Sequence, residues 1–136
     1  MKIARLVDWL SPTLTDLGLA APYAAVRKAR KVEPDLDDGT ATLPLLLLHP
    51  WKEAAGANPY DNHVRHEVFE RFACVTVCAE DDLEDHRQHL FDALLGQVPP
   101  DYTDDVQYIE GEVLDLNMTT IWWRDIFEMK RLRSQA

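Results

Sequence analysis

The chain has 136 residues, 46% of them hydrophobic, and a formal net charge of −10. This length and apolar content predict one domain, spanning residues 1–136, with a substantial core. The acidic excess argues against a nucleic-acid-binding surface, because such surfaces need cations to neutralise phosphates. The longest apolar run, residues 43–48, is too short to span a bilayer, and the N-terminus lacks the apolar core of a signal peptide. We therefore expect a cytosolic protein.

The N-terminal region predicts a helix. Apolar residues recur at helical spacing over the first ten positions, at Ile3, Leu6, Val7 and Leu10. Ser11 and Pro12 are expected to end this helix, although the same pair could start a second turn through Leu14 and Leu17.

A further helix could begin at Pro22 and run through Tyr23, Val26 and Arg30. The basic run at 27–31 then fits a helix C-terminus, where cations offset the carbonyl end of the helix dipole. We favour this interpretation of the run at 27–31, although a basic C-terminal tail that faces acidic patches on identical copies would also suit self-assembly.

Two strands are predicted in the middle of the chain. The first lies in the apolar run at 42–48 and could start after Pro44. The second covers residues 64–78, and its charged first half is expected to project past the core. Between them, residues 51–62 predict a long loop, and loops of that length are often functional. This loop is therefore a candidate arm that reaches a neighbouring molecule.

A helix is predicted next, capped by Asp81 or Asp82 and stopped by Gly96 and the prolines at 99–100. Its apolar face is expected to pack on the sheet through Leu83, Leu90 and Leu94. The two cysteines, Cys74 and Cys78, share one face of the preceding strand but lie too far apart to form a disulfide. We expect two buried thiols.

The last two strands are predicted to form a hairpin over residues 108–133, around the polar break at 117–119. Side chains alternate along a strand, so Trp122 and Trp123 must point to opposite faces of the sheet. We expect Trp122 in the core and Trp123 under a loop or a neighbouring subunit.

The length of the hairpin loop decides which residues face each other. A loop of two or four residues would pair residues of opposite parity. A loop of three would pair Glu112 with Arg124 and Leu114 with Trp122, giving one charged and one apolar pair. We favour the three-residue loop. The complete order α-β-β-α-β-β then predicts an α+β fold with a mainly antiparallel four-stranded sheet and helices packed on it.

Signals of catalysis are weak. His86 and His89 are three apart on the predicted helix, beside several carboxylates (Asp82, Asp85 and Asp92). A small metal-dependent enzyme using this group is one hypothesis, and an acidic adaptor or inhibitor module is another. However, the sequence has no Gly-rich phosphate loop, nucleophile elbow or triad-like cysteine. We predict no catalytic residue, no cofactor and no metal.

Several segments resemble the tail terminator family of long-tailed bacteriophages and prophages. They are ERFACVTV, the helix end LFDALLGQVPP, and above all YIEGEVLDLN followed by IWWRDIFEMKR. Family members are similar in an R-F-A-V-x strand, an A-L-L-G-x-x-P helix end and a final Y-x-x-G-x-x-L-x-L … L-W-W-x-D-x-F hairpin. The chain differs in having Asn117-Met118-Thr119 where the family often has Asp-Asp-Gly, and in having more prolines near its N-terminus.

The resemblance implies a structural protein of the virion tail, assembled in the bacterial host cytoplasm and not an enzyme. Members of this kind form a ring, six subunits where known, that caps the tail tube, ends its polymerisation and gives the head and neck a docking surface. The implied partners are copies of the chain itself, the tail tube protein and a head-completion or neck protein. DNA would only pass through the lumen, where an acidic wall repels phosphate.

A ring subunit needs two different complementary patches. The sequence offers the 51–62 loop, the charged half of the strand at 64–78 and the basic C-terminal tail. The residues predicted to contact a neighbouring subunit or partner are Trp51, Asn58, Tyr60, Arg65, Glu67, Trp123, Arg124, Lys130 and Arg131.

Overall fold

The computed structural model describes residues 2–29, 43–55 and 65–134. In chain order the elements are α1 (Ile3–Leu14), β1 (Ala25–Lys28), β2 (Leu45–Ala55), β3 (Arg65–Ala79), a 3₁₀ turn (Glu80–Asp82), α2 (Leu83–Leu94), β4 (Gln107–Asn117) and β5 (Thr120–Ser134). Neither α1 nor α2 combines the length and apolar character that a bilayer-spanning helix requires.

The strands form one five-stranded mixed sheet in the order β1-β2-β3-β5-β4. β1 is parallel to β2, and the other neighbours are antiparallel. The α+β class is confirmed, but the prediction of four antiparallel strands was wrong. The additional strand, β1, occupies the segment that we assigned to a helix starting at Pro22. Backbone pairing with residues 45–48 and burial of Val26 against the core outweigh the local preference of this segment for a helix.

α1 continues through Pro12, which we expected to end it. A proline inside a helix costs roughly 3 kcal/mol because it removes a hydrogen bond and crowds the preceding turn. The extra turn buries Leu14 completely, and burying a leucine contributes about 1.5–3 kcal/mol. The two effects are comparable, so the helix extends by one turn. Leu17 lies beyond the helix and is exposed.

Both helices cover the same side of the sheet, which we call the helix face. The strand residues of this face include Leu46, Leu48, Phe72 and Phe127, and they pack against buried leucines of α1 and α2. We call the other side the open face, because neither α1 nor α2 packs on it. Its apolar residues form a smaller cluster around Leu45, Val75, Val77 and Trp122.

The helix predicted after Asp81 or Asp82 is confirmed as α2. All three predicted core leucines, Leu83, Leu90 and Leu94, are buried. Asp82 occupies the N-cap position but makes no capping hydrogen bond through its side chain. After the helix, Gly96 has a φ of 75°, a left-handed conformation that favours glycine at helix C-termini.

β2 is longer than predicted. It starts directly after Pro44, as expected, but it continues to Ala55 and therefore includes the first five residues of the predicted 51–62 loop. A register shift between Pro50 and Lys52 lets the strand continue past its proline. The rest of the predicted loop, up to residue 62, lies outside the described residues.

β3 confirms the strand predicted at 64–78. Residues 65–67 pair with β5, whereas the described pairing of β2 begins at Val68. β4 in turn pairs with β5 only as far as Glu128. In the part of the chain that the structure describes, the ends of β3 and β5 therefore extend past their outer neighbours as a two-stranded ribbon.

The cysteines are free and buried, as predicted. Cys74 belongs to the main core, and Cys78 packs with Leu83 and Ile121 under the start of α2. Burial raises the pKa of the Cys78 thiol to about 11, with a smaller contribution from the charge of Asp82. Both thiols are therefore unreactive side chains of the core.

The hairpin has a two-residue loop, so the predicted three-residue loop was wrong. Asn117 pairs with Thr120, and Met118 between them has a φ of 55°, as the primed turns of two-residue hairpins require. A bulge at Leu114 then shifts the register by one residue. Glu112 therefore faces Arg124, the pairing that we expected, although a bulge and not the loop length produces it.

We expect Leu90→Ala to lower the free energy of unfolding by about 2–5 kcal/mol, because Leu90 is fully buried between α2 and the sheet. Denaturant unfolding measures this change. Leu17→Ala is the matched control, because Leu17 is 89% exposed and should change stability little. Equal effects of the two substitutions would contradict the assignment of the core.

Candidate functional site

Asp125 is the most unusual residue of the hairpin. It lies in the middle of β5 on the helix face, and none of its surface is exposed. A buried carboxylate is costly unless every oxygen is hydrogen-bonded and its charge is balanced. The surrounding residues meet both conditions.

Three side chains donate hydrogen bonds to Asp125. Arg87, on α2, donates from Nη2 to Oδ1 at 3.0 Å and from Nε to Oδ2 at 3.2 Å. Trp123 donates from Nε1 to Oδ1 at 2.9 Å, and Tyr108 donates from Oη to the same oxygen at 3.2 Å. We call Arg87, Tyr108, Trp123 and Asp125 the Asp125 cluster.

Aromatic rings hold the guanidinium of Arg87 in place. Its Cζ lies 4.8 Å from the centre of the Trp123 ring and 5.0 Å from that of Phe91. Burial alone would lower the pKa of Arg87, but the hydrogen bond and charge of Asp125 outweigh it and raise that pKa. The pKa of Tyr108 is also raised, first by burial and then by the charge of Asp125. Arg87 therefore stays charged and Tyr108 stays a donor.

Gly111 provides the space for this cluster. It pairs with Asp125 across the hairpin. A Cβ at this position would lie 2.5 Å from Tyr108 Oη, 2.7 Å from Asp125 Oδ1 and 3.0 Å from Trp123 Nε1. Only glycine lets these three atoms meet.

The arrangement fixes structure and offers no reaction centre. Both carboxylate oxygens accept hydrogen bonds from within the protein, and the donors belong to a helix and to both strands of the hairpin. The cluster therefore joins α2 to β4 and β5. Removing one partner of a buried ion pair typically costs about 3–5 kcal/mol, because the remaining charge is left uncompensated.

The cluster explains the two neighbouring tryptophans. Trp122 is buried, as predicted, and packs on the open face with Leu45, Val75 and Val77. Trp123 is half-buried on the helix face, where Arg87 of the same chain covers it. Within the chain, the covering side chain comes from α2 and not from a loop, so that alternative was wrong. The role of Trp123 in a subunit contact remains a prediction.

Two of the predicted contact residues meet on the open face. The guanidinium of Arg124 lies 4.2 Å from the centre of the Trp51 ring and forms an ion pair with Glu112. His49, close by on β2, is buried, and its ring centre lies 6.2 Å from that of Trp51. Burial lowers the pKa of His49, and the charge of Arg124 lowers it further.

Four of the other predicted contact residues lie toward the ribbon formed by the ends of β3 and β5. Arg65, Glu67 and Arg131 are placed there by backbone pairing. Lys130 Nζ lies 3.0 Å from Asp104 Oδ2. Asn58 and Tyr60 lie outside the described residues, in the segment that links β2 to β3.

The histidine pair on α2 is not part of a metal site in the described residues. No group of three or more His, Cys, Asp and Glu side chains within 2–29, 43–55 and 65–134 is placed to hold an ion. His89 Nε2 instead accepts a hydrogen bond from the Ala21 backbone N–H at 3.3 Å. His86 is buried against Tyr23, with ring centres 4.9 Å apart.

Sequence reasoning missed the Asp125 cluster, although one signal was present. Gly is scarce, and Gly111 interrupts a run rich in strand-forming residues. An isolated glycine in a strand often marks a close approach of other groups. Arg87 gave no comparable signal, because nothing in the sequence relates it to a strand residue 38 positions away.

A comparison with family models matches the part of the chain that contains these residues. The family described as phage tail terminator protein matches residues 76–136, which include the whole Asp125 cluster and Gly111. The C-terminal part of the chain is therefore similar to that family, over somewhat less than half of the chain. A comparison with curated proteins found no match.

Gly111→Ala should destabilise the protein by about 1–3 kcal/mol, because the added methyl group displaces three atoms of the Asp125 cluster. Gly18→Ala is the control, since a Cβ there would meet only the flexible side chain of Asp16. Thermal and denaturant unfolding of both variants measure the difference. A Gly111→Ala protein as stable as the Gly18→Ala control would show that the cluster is not tightly packed.

Stability should fall as the pH is lowered from 7.5 to 5.5. Burial lowers the pKa of His86, and the opposing charge of Asp82 does not restore it. Below about pH 6.5 the unfolded chain therefore takes up a proton that the folded chain resists, at up to about 1.4 kcal/mol per pH unit for each such histidine.

His86→Leu should reduce this pH slope without abolishing it, because the pKa of His49 is also lowered. Leu17→Ala, an exposed substitution that removes no titratable group, should keep the wild-type slope. Denaturant midpoints at several pH values give the slopes, and an unchanged slope in His86→Leu would contradict the prediction.

Proposed function

Because residues 76–136 match the phage tail terminator family, we propose that the chain is the subunit of a ring that caps the tail tube. The ring, a hexamer by family resemblance, ends tail polymerisation and offers a surface to the head and neck. The proposed partners are further copies of the chain, the tail tube protein and a head-completion or neck protein. Assembly would take place in the host cytoplasm, and the product would be part of the virion tail.

The family match carries this proposal, and the Asp125 cluster gives it a physical basis. The matched residues converge on one buried ion pair that fixes the angle between α2 and the hairpin. A ring subunit must present the same surfaces in every copy, because an interface repeated around a ring closes only if each subunit has the same shape. A rigid hairpin serves that need.

We propose that the ribbon formed by the ends of β3 and β5, together with the segment predicted as an arm, contributes to assembly. Arg65, Glu67, Lys130 and Arg131 lie at or near this ribbon. Asn58 and Tyr60, which lie outside the described residues, belong to the same proposed set. Trp51 and Arg124 form a stacked pair on the open face, where a partner could pack. Trp123 remains in the proposed set through its half-exposed ring.

The acidic balance of the chain suits the proposed passage of DNA. A net charge of −10 per subunit would repel the phosphate backbone and avoid the release of counterions that drives DNA binding. DNA would move through the lumen without being held.

The experiment is a gene disruption in the phage or prophage that encodes the chain, followed by electron microscopy of the particles. We expect tails of uncontrolled length that fail to join heads. Supplying the wild-type chain from a plasmid should restore tails of uniform length, whereas a chain lacking residues 58–62 should fold but fail to restore them. Normal, head-joined tails after disruption would overturn the proposed function.

A further inference from the structure

The two outer edges of the sheet carry opposite charges. β1 forms one edge, and its last two residues are the exposed cations Arg27 and Lys28. β4 forms the other edge and carries Glu110 and Glu112, both exposed, together with Asp115. No strand in the described residues pairs with the outer side of either β1 or β4.

We propose that β4 of one subunit pairs with β1 of the next subunit, so that the sheet continues from copy to copy around the ring. This inference rests on the proposed ring, and it identifies the two surfaces through which neighbouring subunits would contact each other. The occupant of each edge is a second copy of this chain, and the contact is head-to-tail.

Strand directions agree with this arrangement. β1 and β2 run in the same direction, β3 is antiparallel to β2, β5 to β3, and β4 to β5. β4 therefore runs opposite to β1. A neighbouring copy placed beside β4 without being turned over adds its β1 as an antiparallel strand, the commoner and slightly more stable pairing.

The charged side chains also meet on the same side. Arg27 pairs with Leu47, which belongs to the open face, and alternation places Arg27 there too. Glu112 pairs with Arg124 and Glu110 with Ile126, both on the open-face side of β5. In the continued sheet, Arg27 of one copy therefore lies beside the glutamates of its neighbour.

The lengths of the two edges match. Register shifts at Ile109 and Leu114 interrupt β4 and leave residues 110–113 as a regular stretch. Bulges of this kind limit the part of an edge that can accept a new strand. The remaining stretch has four residues, and β1 also has four. Val113, which is 51% exposed, adds apolar surface to the contact.

The same charges oppose a two-fold dimer. A two-fold contact would place β4 against β4, with carboxylates facing carboxylates, or β1 against β1, with cations facing cations. Like charges on neighbouring strands are destabilising. Edges of opposite charge attract and edges of like charge repel, which favours head-to-tail association over a two-fold dimer.

The experiment uses two full-length charge variants, Arg27→Glu and Glu110→Arg. In each variant, the altered edge of one copy meets an unaltered edge of like charge on the next copy. Each variant alone should therefore associate at least tenfold more weakly than the wild type. Mixed in equal amounts, the variants restore opposite charges at every contact and should form rings with alternating chains. Sedimentation velocity at several concentrations and salt levels measures the association.

Lys2→Glu and Asp8→Arg are the matched controls, because both residues are exposed on or beside α1 and change the net charge by the same amounts. Each control alone should associate like the wild type. Circular dichroism and thermal unfolding confirm that all four variants fold.

The proposed edge contact would be overturned by variants that each associate like the wild type, or by a mixture that stays dissociated while the wild type forms rings. In either case the tail-length experiment could still uphold the proposed ring. A wild-type chain that remains monomeric at all concentrations, with a monomeric mixture, would also overturn the edge contact.

Discussion

A buried ion pair between Asp125 and Arg87 governs the arrangement of the C-terminal half of the protein. Asp125 is fully buried in β5, and its charge is tolerated only because Arg87 reaches it from α2 with two hydrogen bonds. Trp123 and Tyr108 complete its partners. The helix and the hairpin therefore cannot shift against each other without exposing an uncompensated charge to an apolar environment.

The bulges of β4 follow from this constraint. Without the register shift at Leu114, the two-residue loop would place Glu112 opposite Asp125, and two carboxylates would face each other. The shift brings Gly111 opposite Asp125 and Glu112 opposite Arg124. The second shift, at Ile109, places Tyr108 opposite Phe127 on the helix face, where its hydroxyl reaches Asp125. One buried charge thus accounts for a glycine, two bulges and a tyrosine.

The same bulges shape the exposed edge of the sheet. They divide β4 into short regular stretches, and charged residues line the edge. These features are typical of edge strands that must avoid indiscriminate pairing. A short acidic edge can still accept one strand of matching length and opposite charge. β1, with four residues and two cations, is such a strand. The buried cluster and the acidic side of the proposed subunit contact therefore share one strand, β4.

The sequence by itself determined the features that depend on local pattern. The amphipathic start of α1, the three core leucines of α2, β3 and the two strands of the hairpin all follow from periodicity and turn residues. The tail terminator resemblance was likewise readable from the spacing of Tyr108, Gly111, the tryptophans and Asp125. Burial of Trp122 was also predicted, because both hairpin registers gave it an apolar neighbour.

Tertiary structure alone decided the remainder. β1 is a strand because β2 offers it a backbone partner, and four residues carry too little periodicity to reveal this. The hairpin register depends on a bulge that separates two carboxylates, and the cover of Trp123 depends on Arg87 from a distant helix. These features arise from contacts between residues far apart in the chain. The spacing of hydrophobic residues indicates which face of a strand is buried. It does not indicate which polar side chain lies opposite a given residue in the folded protein.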